Sequence, residues 1–159
     1  MSSTGAVISC AQRVDFVAIA DLINRAFSIE RPYIEEQPES ERSVANVIDD
    51  GGVCFVATDS HGLIGCVFLD PKLFIISKLA VEFSRREQGY GSKLMTEAEN
   101  YGKTSGWPAA RIQVLNFRSE LFDFYLHRGY KETGSRISGE GRPDVLAHCE
   151  LVGMAKPFG

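Results

Sequence analysis

The sequence of 159 residues lacks the signatures of several large protein classes. No apolar run approaches the roughly 20 residues that a helix needs to cross a bilayer, and the first residues have neither the basic nor the apolar region of a signal peptide. Lysine and arginine form no cluster, and the formal net charge is −4. The sequence therefore predicts neither a membrane partner nor a nucleic-acid partner.

Cysteine is scarce, and its spacing excludes the sites that cysteine commonly builds. The four cysteines form no CxxC pair: they are Cys10, Cys54, Cys66 and Cys149. Neither a zinc knuckle nor a thioredoxin-type redox pair is therefore expected. Cys54 and Cys66 stand in apolar runs and are predicted to be small core residues. The three histidines are far apart, so we predict no metal site. Cysteine usage of this kind fits a reducing compartment, and we expect a cytoplasmic location.

What the chain does have is the composition of an ordinary globular domain. Hydrophobic residues make up 44% of the sequence and charged residues 24%, which excludes a disordered chain. A folded chain of this length buries roughly 70% of the surface that it exposes when unfolded, so it can form a core without disulfides. We expect one domain over residues 1–159.

Apolar periodicity divides this domain into a helical start and a sheet. Apolar residues at helical spacing predict helices over residues 15–27 and 43–49, separated by a loop that contains two prolines. Three apolar runs then predict strands over residues 53–58, 63–69 and 73–81. Because the turns between these strands are short, the strands should form an antiparallel meander.

The pattern then changes to one parallel crossover, followed by a helix and a hairpin. A helix over residues 92–103 and a strand over residues 111–115 complete a βαβ unit, which is nearly always right-handed. A second helix is predicted over residues 119–128, with Ser119 as its N-cap. The closing strands are predicted over residues 130–133 and 145–154, with a glycine-rich segment over residues 134–143 between them. The order of elements predicts an α/β domain of the α+β type with a mixed central sheet.

The most informative segment connects the third strand of the meander to the crossover helix. It carries the pattern R-x-x-G-x-G at Arg86, Gly89 and Gly91. A helix N-terminus presents unpaired N–H groups and the positive end of the helix dipole, so it can bind a phosphate. Glycine at this place lets the backbone approach a pyrophosphate closely. The alternative interpretation is a glycine-rich turn that holds no ligand.

Two widespread phosphate-binding motifs do not fit this connection. Leu94 occupies the position of the third glycine in the dinucleotide pattern GxGxxG, and the pattern GxxxxGK[ST] is absent. The pattern R-x-x-G-x-G after the strand residues Leu-Ala-Val instead resembles the pyrophosphate loop of the GNAT family of acyl-CoA-dependent N-acetyltransferases. Asn116 and the sequence FYLHRGY over residues 124–130 resemble further segments of that family.

The resemblance covers most of the chain and implies a fold, a cosubstrate and a site. It implies a single GNAT-like domain with acceptor-side helices in residues 1–50, the meander and crossover in residues 53–115, and the last helix and hairpin in residues 116–159. Acetyl-CoA is the implied cosubstrate. Its implied binding residues are Leu79, Ala80, Val81, Arg86, Glu87, Gln88, Gly89, Tyr90, Gly91, Ser92 and Asn116.

The loop departs from the family pattern at two positions. Phe83 stands where a proline is common, and Glu87 replaces a frequent glycine. A glutamate side chain that pointed inward would place a carboxylate beside the phosphates and oppose their binding. A side chain that pointed to solvent would have little effect.

Tyr125 is the predicted catalytic residue. It lies four residues before Gly129, where the resemblance implies the tyrosine that protonates the departing thiolate. The apolar spacing of the same helix also fits a tyrosine that only packs in the core. The sequence does not identify a general base, because the strand before the loop contains no carboxylate; Glu30, Glu35 and Glu36 are candidates on the acceptor side.

The resemblance implies an enzyme that moves an acetyl group to a primary amine by direct attack in a ternary complex. Five glutamates against two arginines in residues 30–42 leave an excess of three negative charges. This excess favours a cationic small-molecule amine, such as a polyamine or an amino sugar, as the partner. The alternatives are a CoA-binding module with a regulatory or no catalytic role and an acetyltransferase for protein lysines or N-termini. The sequence also leaves open whether the chain forms a homodimer.

Overall fold

The computed structural model describes residues 5–30, 38–138 and 149–159. Its helices are α1 (Phe16–Ala26), α2 (Glu41–Asp49), α3 (Tyr90–Thr104) and α4 (Ser119–His127). Its strands are β1 (Val7–Cys10), β2 (Val53–Asp59), β3 (Gly62–Asp70), β4 (Ile75–Val81), β5 (Ala109–Leu115), β6 (Lys131–Ser138) and β7 (Glu150–Pro157). Short 3₁₀ turns cover Arg13–Asp15, Ser28–Glu30 and Phe83–Arg85.

The strands of the described residues form one sheet with the order β1-β2-β3-β4-β5-β7-β6. β1 to β4 are successive antiparallel neighbours, and β4 pairs with β5 in parallel across α3. β7 lies between β5 and β6 and is antiparallel to both. The predicted fold class, a mixed α/β domain with an antiparallel meander and one parallel crossover, is confirmed.

Most of the core lies in two layers, one on each face of the sheet. Along β2, Cys54 and Val56 pack in the layer that contains α1 and α2, whereas Phe55 and Ala57 pack in the layer that contains α3. This alternation is what a strand buried on both faces requires. Cys66 lies in the first layer, and its burial raises the pKa of its thiol to about 12. The predicted burial of Cys54 and Cys66 is confirmed.

The helices attach to the sheet through the apolar faces that their sequences predict. In α1, Ile19 and Ile23 lie one turn apart and are buried. In α3, Leu94 and Ala98 repeat that spacing on the other face of the sheet. α3 begins at Tyr90, two residues before its predicted start, because its first turn includes the second glycine of the loop.

The starts of α2 and α4 also differ from the predicted ones. α2 begins at Glu41 because Ser40 is its N-cap, and the Ser40 hydroxyl accepts a hydrogen bond from the Ser43 N–H at 3.1 Å. The N-cap of α4 is Arg118, and Ser119 is already helical. The Arg118 carbonyl accepts the N–H of Leu121 at 3.0 Å, so it starts the helical hydrogen bonding one residue earlier than predicted.

The closing hairpin is longer than predicted. β6 continues through Gly134 to Ser138, because a shift in register between Glu132 and Arg136 accommodates the extra residues without ending the ladder. β7 ends at Pro157 rather than at residue 154, since it pairs with β5 along that whole strand. The first residues of the predicted closing strand, and the second half of the predicted glycine-rich segment, lie outside the described residues.

Candidate active site

A cavity of about 1200 Å³ opens where β4 and β5 separate. Within the described part of the chain, the parallel pairing of these strands is confined to Ile75 and Arg111. β5, in contrast, pairs with β7 along its whole length. Beyond Ile75 both strands line the cavity, β4 as far as Val81 and β5 as far as Leu115. The fold therefore exposes the edges of two neighbouring strands to one space.

The central part of β4 contains a bulge on the cavity wall. The register of β4 against β3 shifts between Ser77 and Ala80, so Lys78 and Leu79 together stand opposite one residue of β3. Lys78 has a φ of 52°, which lies in the left-handed region. Because a bulge changes the direction of neighbouring groups, the main chain at Leu79 departs from the regular ladder where it borders the cavity.

Gly89 and Gly91 form an open cradle at the N-terminus of α3. Gly89 is the N-cap of this helix and has a φ of 86°, a conformation that glycine adopts without strain. A Cβ at Gly89 would meet no heavy atom within 4 Å, and one at Gly91 would meet its nearest neighbour, Phe124 Cζ, at 3.8 Å. Both glycines line the cavity. The first N–H groups of α3 thus border the cavity at the positive end of the helix dipole.

Arg86 and Glu87 are charged residues of the same loop, and both line the cavity. Arg86 Nε donates to the Val81 carbonyl at 3.4 Å, and its guanidinium lies 5.2 Å from the Phe83 ring. Glu87 has a φ of 65°, which lies in the left-handed region that favours glycine. A residue with a Cβ adopts this conformation at a cost of roughly 1–2 kcal/mol.

Most of the implied cofactor-binding residues border the cavity. The ones that line it are Leu79, Ala80, Val81, Arg86, Glu87, Gly89, Tyr90, Gly91 and Ser92. Gln88 and Asn116 are not among the lining residues. Gln88 accepts a hydrogen bond from Arg85 Nε at 3.3 Å, and Asn116 Oδ1 accepts one from the Glu150 N–H at 3.2 Å. Asn116 thus connects the end of β5 to the start of β7.

Tyr125 belongs both to the core and to the cavity wall. It is 8% exposed, and its ring packs edge-on against Tyr130 at a centroid distance of 5.6 Å. Burial raises the pKa of its hydroxyl to about 12, although Arg128 and Arg118 act in the opposite direction and Glu30 adds to the rise. The hydroxyl is therefore protonated at neutral pH and can donate a proton.

Two ion pairs on the acceptor side were not predicted from the sequence. Arg118 pairs with Glu30, and its Nε also donates to Glu120 Oε2 at 3.1 Å. Lys78 pairs with Glu39. Each pair links elements that are distant in the sequence, so no local sequence pattern predicts it. These five side chains all line the cavity.

The candidates for a general base divide into one described residue and two that are not described. Glu30 ends the 3₁₀ turn after α1 and lines the cavity near Tyr125. Glu35 and Glu36 lie outside the described residues.

No helix of the described ranges is long and apolar enough to cross a membrane. In the same ranges, no three histidine, cysteine, aspartate or glutamate side chains are grouped as metal ligands would be.

Solved acetyltransferase structures share this fold. An N-acetyltransferase from Staphylococcus aureus Mu50 is 17% identical, with a TM-score of 0.79 over 97% of this chain and 99% of the other. A ribosomal-protein-alanine N-acetyltransferase from Brucella melitensis is 18% identical, with a TM-score of 0.79 over 96% and 99%. A phosphinothricin acetyltransferase from Sinorhizobium meliloti, solved in complex with AcCoA, is 18% identical, with a TM-score of 0.77 over 98% and 90%. At these identities the likeness establishes the fold alone.

The comparison with whole domain families is more specific. No curated protein sequence matches the chain significantly. The family described as "Acetyltransferase (GNAT) domain" matches residues 50–132. This match covers more than half of the chain, from the start of the meander to the start of β6, and includes the loop at Gly89 and Gly91. The chain therefore belongs to the GNAT family of acetyltransferases.

Proposed function

We propose that the chain transfers an acetyl group from acetyl-CoA to a primary amine, with both substrates bound at once. The observation that carries this proposal is a single cavity that extends from Gly91 at the pyrophosphate loop, past Tyr125, to Glu39 on the acceptor side. One continuous space of this extent can hold both substrates side by side. The fold likeness to a structure solved with AcCoA supports the choice of donor.

Acetyl-CoA supplies an activated acetyl thioester. The N–H groups at the start of α3 and the Arg86 guanidinium hold its pyrophosphate. The edge of β4 at Leu79 and Val81 holds the adjoining part of the cosubstrate through main-chain groups. The space left open at Gly89 and Gly91 fits this assignment, because a side chain at either glycine would project into the cavity.

Tyr125 donates the proton that the departing thiolate needs. A free thiol has a pKa of roughly 8.5, so proton transfer from Tyr125 to the thiolate is uphill and completes because the resulting phenoxide recovers a proton from the nitrogen that has attacked the thioester. The raised pKa of Tyr125, about 12, keeps that donor loaded over the physiological range. Position on the cavity wall and protonation state together support this role.

The acceptor is a cationic small-molecule amine. On the acceptor side, away from the pyrophosphate loop, the cavity is lined by three carboxylates, those of Glu30, Glu39 and Glu120, and by two cations, those of Lys78 and Arg118. The two cations reduce the excess of negative charge that the sequence alone suggests, but one carboxylate more than the number of cations remains. A negatively charged mouth raises the local concentration of ammonium groups.

A second candidate acceptor is the amino terminus of a protein. The likeness of the fold to a ribosomal-protein-alanine N-acetyltransferase supports it. A terminal ammonium carries the same charge as a small amine, so the cavity wall does not separate the two. A CoA-binding module without turnover is the third candidate.

Calorimetry with acetyl-CoA, followed by CoA release across a panel of amines and peptides, separates these candidates. We expect binding, turnover with a cationic small amine, and a kcat/KM that falls as salt rises. Four cysteines make a control without amine necessary in any thiol-reagent assay. Binding without turnover would favour the module, and preference for peptides would favour the protein acceptor. A best substrate with net negative charge would contradict the proposed acceptor.

A further inference from the structure

The guanidinium of Arg85 joins the pyrophosphate loop to the β2–β3 hairpin. Arg85 Nη1 donates to Asp59 Oδ2 at 2.9 Å, and Nη2 donates to the Tyr90 hydroxyl at 3.1 Å. Arg85 Nε donates to Gln88 Oε1 at 3.3 Å. One planar group thus contacts residues on both sides of Gly89, the N-cap of α3.

Asp59 is a fixed anchor for this guanidinium. It is the last residue of β2 and pairs with Gly62 across the hairpin turn. Its Oδ1 accepts the His61 N–H at 2.8 Å, while Oδ2 accepts Arg85. The Asp59 side chain is only 14% exposed. The hydrogen bond from Arg85, with that from His61, holds the pKa of Asp59 below its usual value, so the anchor is charged at neutral pH.

The loop has a particular need for such an anchor. Glu87 adopts a left-handed conformation that favours glycine, and it lies between Arg85 and the cradle at Gly89. A strained residue persists only where the surroundings determine its conformation. Hydrogen bonds to Gln88 and Tyr90, on either side of Gly89, provide that determination.

We propose that Asp59, acting through Arg85, is a positioning residue for the pyrophosphate loop. This inference rests on the proposed function, because it assumes that the loop binds the pyrophosphate of acetyl-CoA. Asp59 fixes the guanidinium, and the guanidinium fixes Gln88 and Tyr90. The N–H groups at the start of α3 are thereby held where a pyrophosphate can accept their hydrogen bonds.

The competing explanation is that Arg85 binds phosphate directly, since it also lines the cavity. The two explanations predict opposite effects of Asp59. If Arg85 is a phosphate ligand, Asp59 competes for it and repels the phosphate, so removing its charge should tighten binding. If Asp59 positions the loop, removing its charge should weaken binding despite the lost repulsion.

The test is Asp59→Asn, because asparagine retains an oxygen for the His61 N–H and replaces the charged oxygen that holds Arg85 by an NH2 group, which cannot accept its hydrogen bond. We expect the Kd of acetyl-CoA to rise about tenfold, the scale of one charge-assisted hydrogen bond. The kcat/KM with acetyl-pantetheine, which lacks the pyrophosphate, should remain unchanged. Arg85→Lys, which retains the charge without the planar fork, should weaken acetyl-CoA binding similarly.

The matched control is Glu132→Gln, which removes one of two carboxylates from Arg136 on β6. It should change neither constant. The double variant of Asp59 and Arg85 should be no weaker than the worse single variant, because the two residues act in one chain.

Tighter or unchanged binding of acetyl-CoA in Asp59→Asn would overturn the positioning role. An equal loss with acetyl-CoA and acetyl-pantetheine would overturn it too, because it would indicate a general loss of structure. If Asp59→Asn fails to fold, Tyr90→Phe decides by the same two constants, because it removes a contact through which Arg85 would hold the loop and leaves the Arg85 charge free for a phosphate. Failure of the unmodified protein to bind acetyl-CoA would overturn the proposed function itself, and the positioning role with it.

Discussion

Lys78 and Glu39 form an ion pair that connects the bulge of β4 to the segment before α2. Glu39 is held by its main chain as well, because its N–H and carbonyl both bond the Asn24 side chain, at 2.8 and 2.9 Å. Ser43 Oγ donates to Glu39 Oε1 at 2.7 Å. Burial opposes ionisation of Glu39, but the bonds from Lys78 and Ser43 outweigh it, so the pKa of Glu39 lies below its usual value.

This pair leads to a prediction for Lys78→Met. The change leaves the largely buried Glu39 carboxylate without its cation, so we expect a loss of about 1–2 kcal/mol of folding free energy. Because Leu79 lies in the same bulge and we expect a main-chain N–H near it to stabilise the oxyanion of the reaction, kcat should fall further than acetyl-CoA affinity. Urea unfolding and kinetics check both effects. Lys72→Met is the control, since the exposed Lys72 ammonium donates to a main-chain carbonyl, that of Asp50, at 3.2 Å. If kcat of Lys78→Met is unchanged, the ion pair of Lys78 with Glu39 stabilises the fold and does not contribute to catalysis.

The two neighbouring tyrosines of the core separate catalysis from packing. Tyr125→Phe should lower turnover roughly 10²–10⁴-fold and leave acetyl-CoA affinity nearly unchanged, because only the proton donor is lost. Tyr130→Phe is the matched control, since the Tyr130 hydroxyl donates to Glu99 at 2.8 Å inside the core. That control should lose about 1–2 kcal/mol of stability and keep its turnover once folded.

The pH profile provides a second measurement for Tyr125. Because its pKa is raised to about 12, the tyrosine should produce no loss of kcat below about pH 11. Similar turnover for Tyr125→Phe and the unmodified protein would favour the purely structural interpretation. A second result would favour the same interpretation: a fall of kcat above about pH 9 in the unmodified protein that is absent in Tyr125→Phe, while the maximal kcat of the two proteins is the same.

Gly91 provides a test in which stability and binding change in opposite directions. Alanine there meets only ordinary contacts, the nearest at 3.8 Å, and it is the better helix former by roughly 0.5–1 kcal/mol. Gly91→Ala should therefore raise the melting temperature. The same methyl group projects into the cavity that we assign to the pyrophosphate, so acetyl-CoA should bind more weakly. A stabilised variant with unchanged affinity would remove the pyrophosphate from this loop.

Much of the fold follows from local patterns in the sequence. Spacing within single helices and strands reflects burial of one face, so the meander, the crossover and the core cysteines could be predicted. The N-cap of α4 could not, because the geometry of Arg118 and not the hydroxyl of Ser119 starts that helix. The extension of β6 through Gly134 depends on pairing with β7, which local propensity does not contain.

The site divides in the same way. The motif with Gly89 and Gly91 lies in one short segment and could be read directly. The pair of Arg118 with Glu30 joins residues 88 positions apart, and the anchor of Arg85 lies 26 positions away at Asp59. A long-range ion pair depends on tertiary folding, and a single sequence offers no signal for it.

Acid should weaken the folded state through Glu99. This carboxylate is 3% exposed; burial opposes its ionisation, but hydrogen bonds from Arg128, Tyr130 and Lys156 outweigh burial and lower its pKa. A lowered pKa in the folded state means that the stabilisation is complete above the usual glutamate pKa of 4.5 and is lost as pH falls through the lowered value.

Glu99→Gln should therefore cost about 3 kcal/mol at neutral pH, since it leaves two cations around a buried amide. The difference in unfolding free energy between the two proteins should shrink below pH 4.5. Urea unfolding at a series of pH values measures it. A difference that is independent of pH would show that the charge of Glu99 does not contribute.

Glu87 combines a conformational cost with an electrostatic one, and two substitutions separate them. Its φ of 65° costs roughly 1–2 kcal/mol for any residue with a Cβ, and glycine loses about 0.5–1 kcal/mol of that gain to the entropy of the unfolded chain. Glu87→Gly should therefore stabilise the fold by about 0.5–1 kcal/mol, whereas Glu87→Gln, which keeps the Cβ, should not. Both variants remove a carboxylate that lines the cavity, so both should bind acetyl-CoA more tightly, most clearly at low salt. Calorimetry at two salt concentrations and urea unfolding check the two effects independently.

Two outcomes would contradict the electrostatic part of this prediction. Equal affinity of all three proteins for acetyl-CoA would show that the carboxylate is directed away from the phosphates. Tighter binding by Glu87→Gly alone would assign the effect to backbone strain.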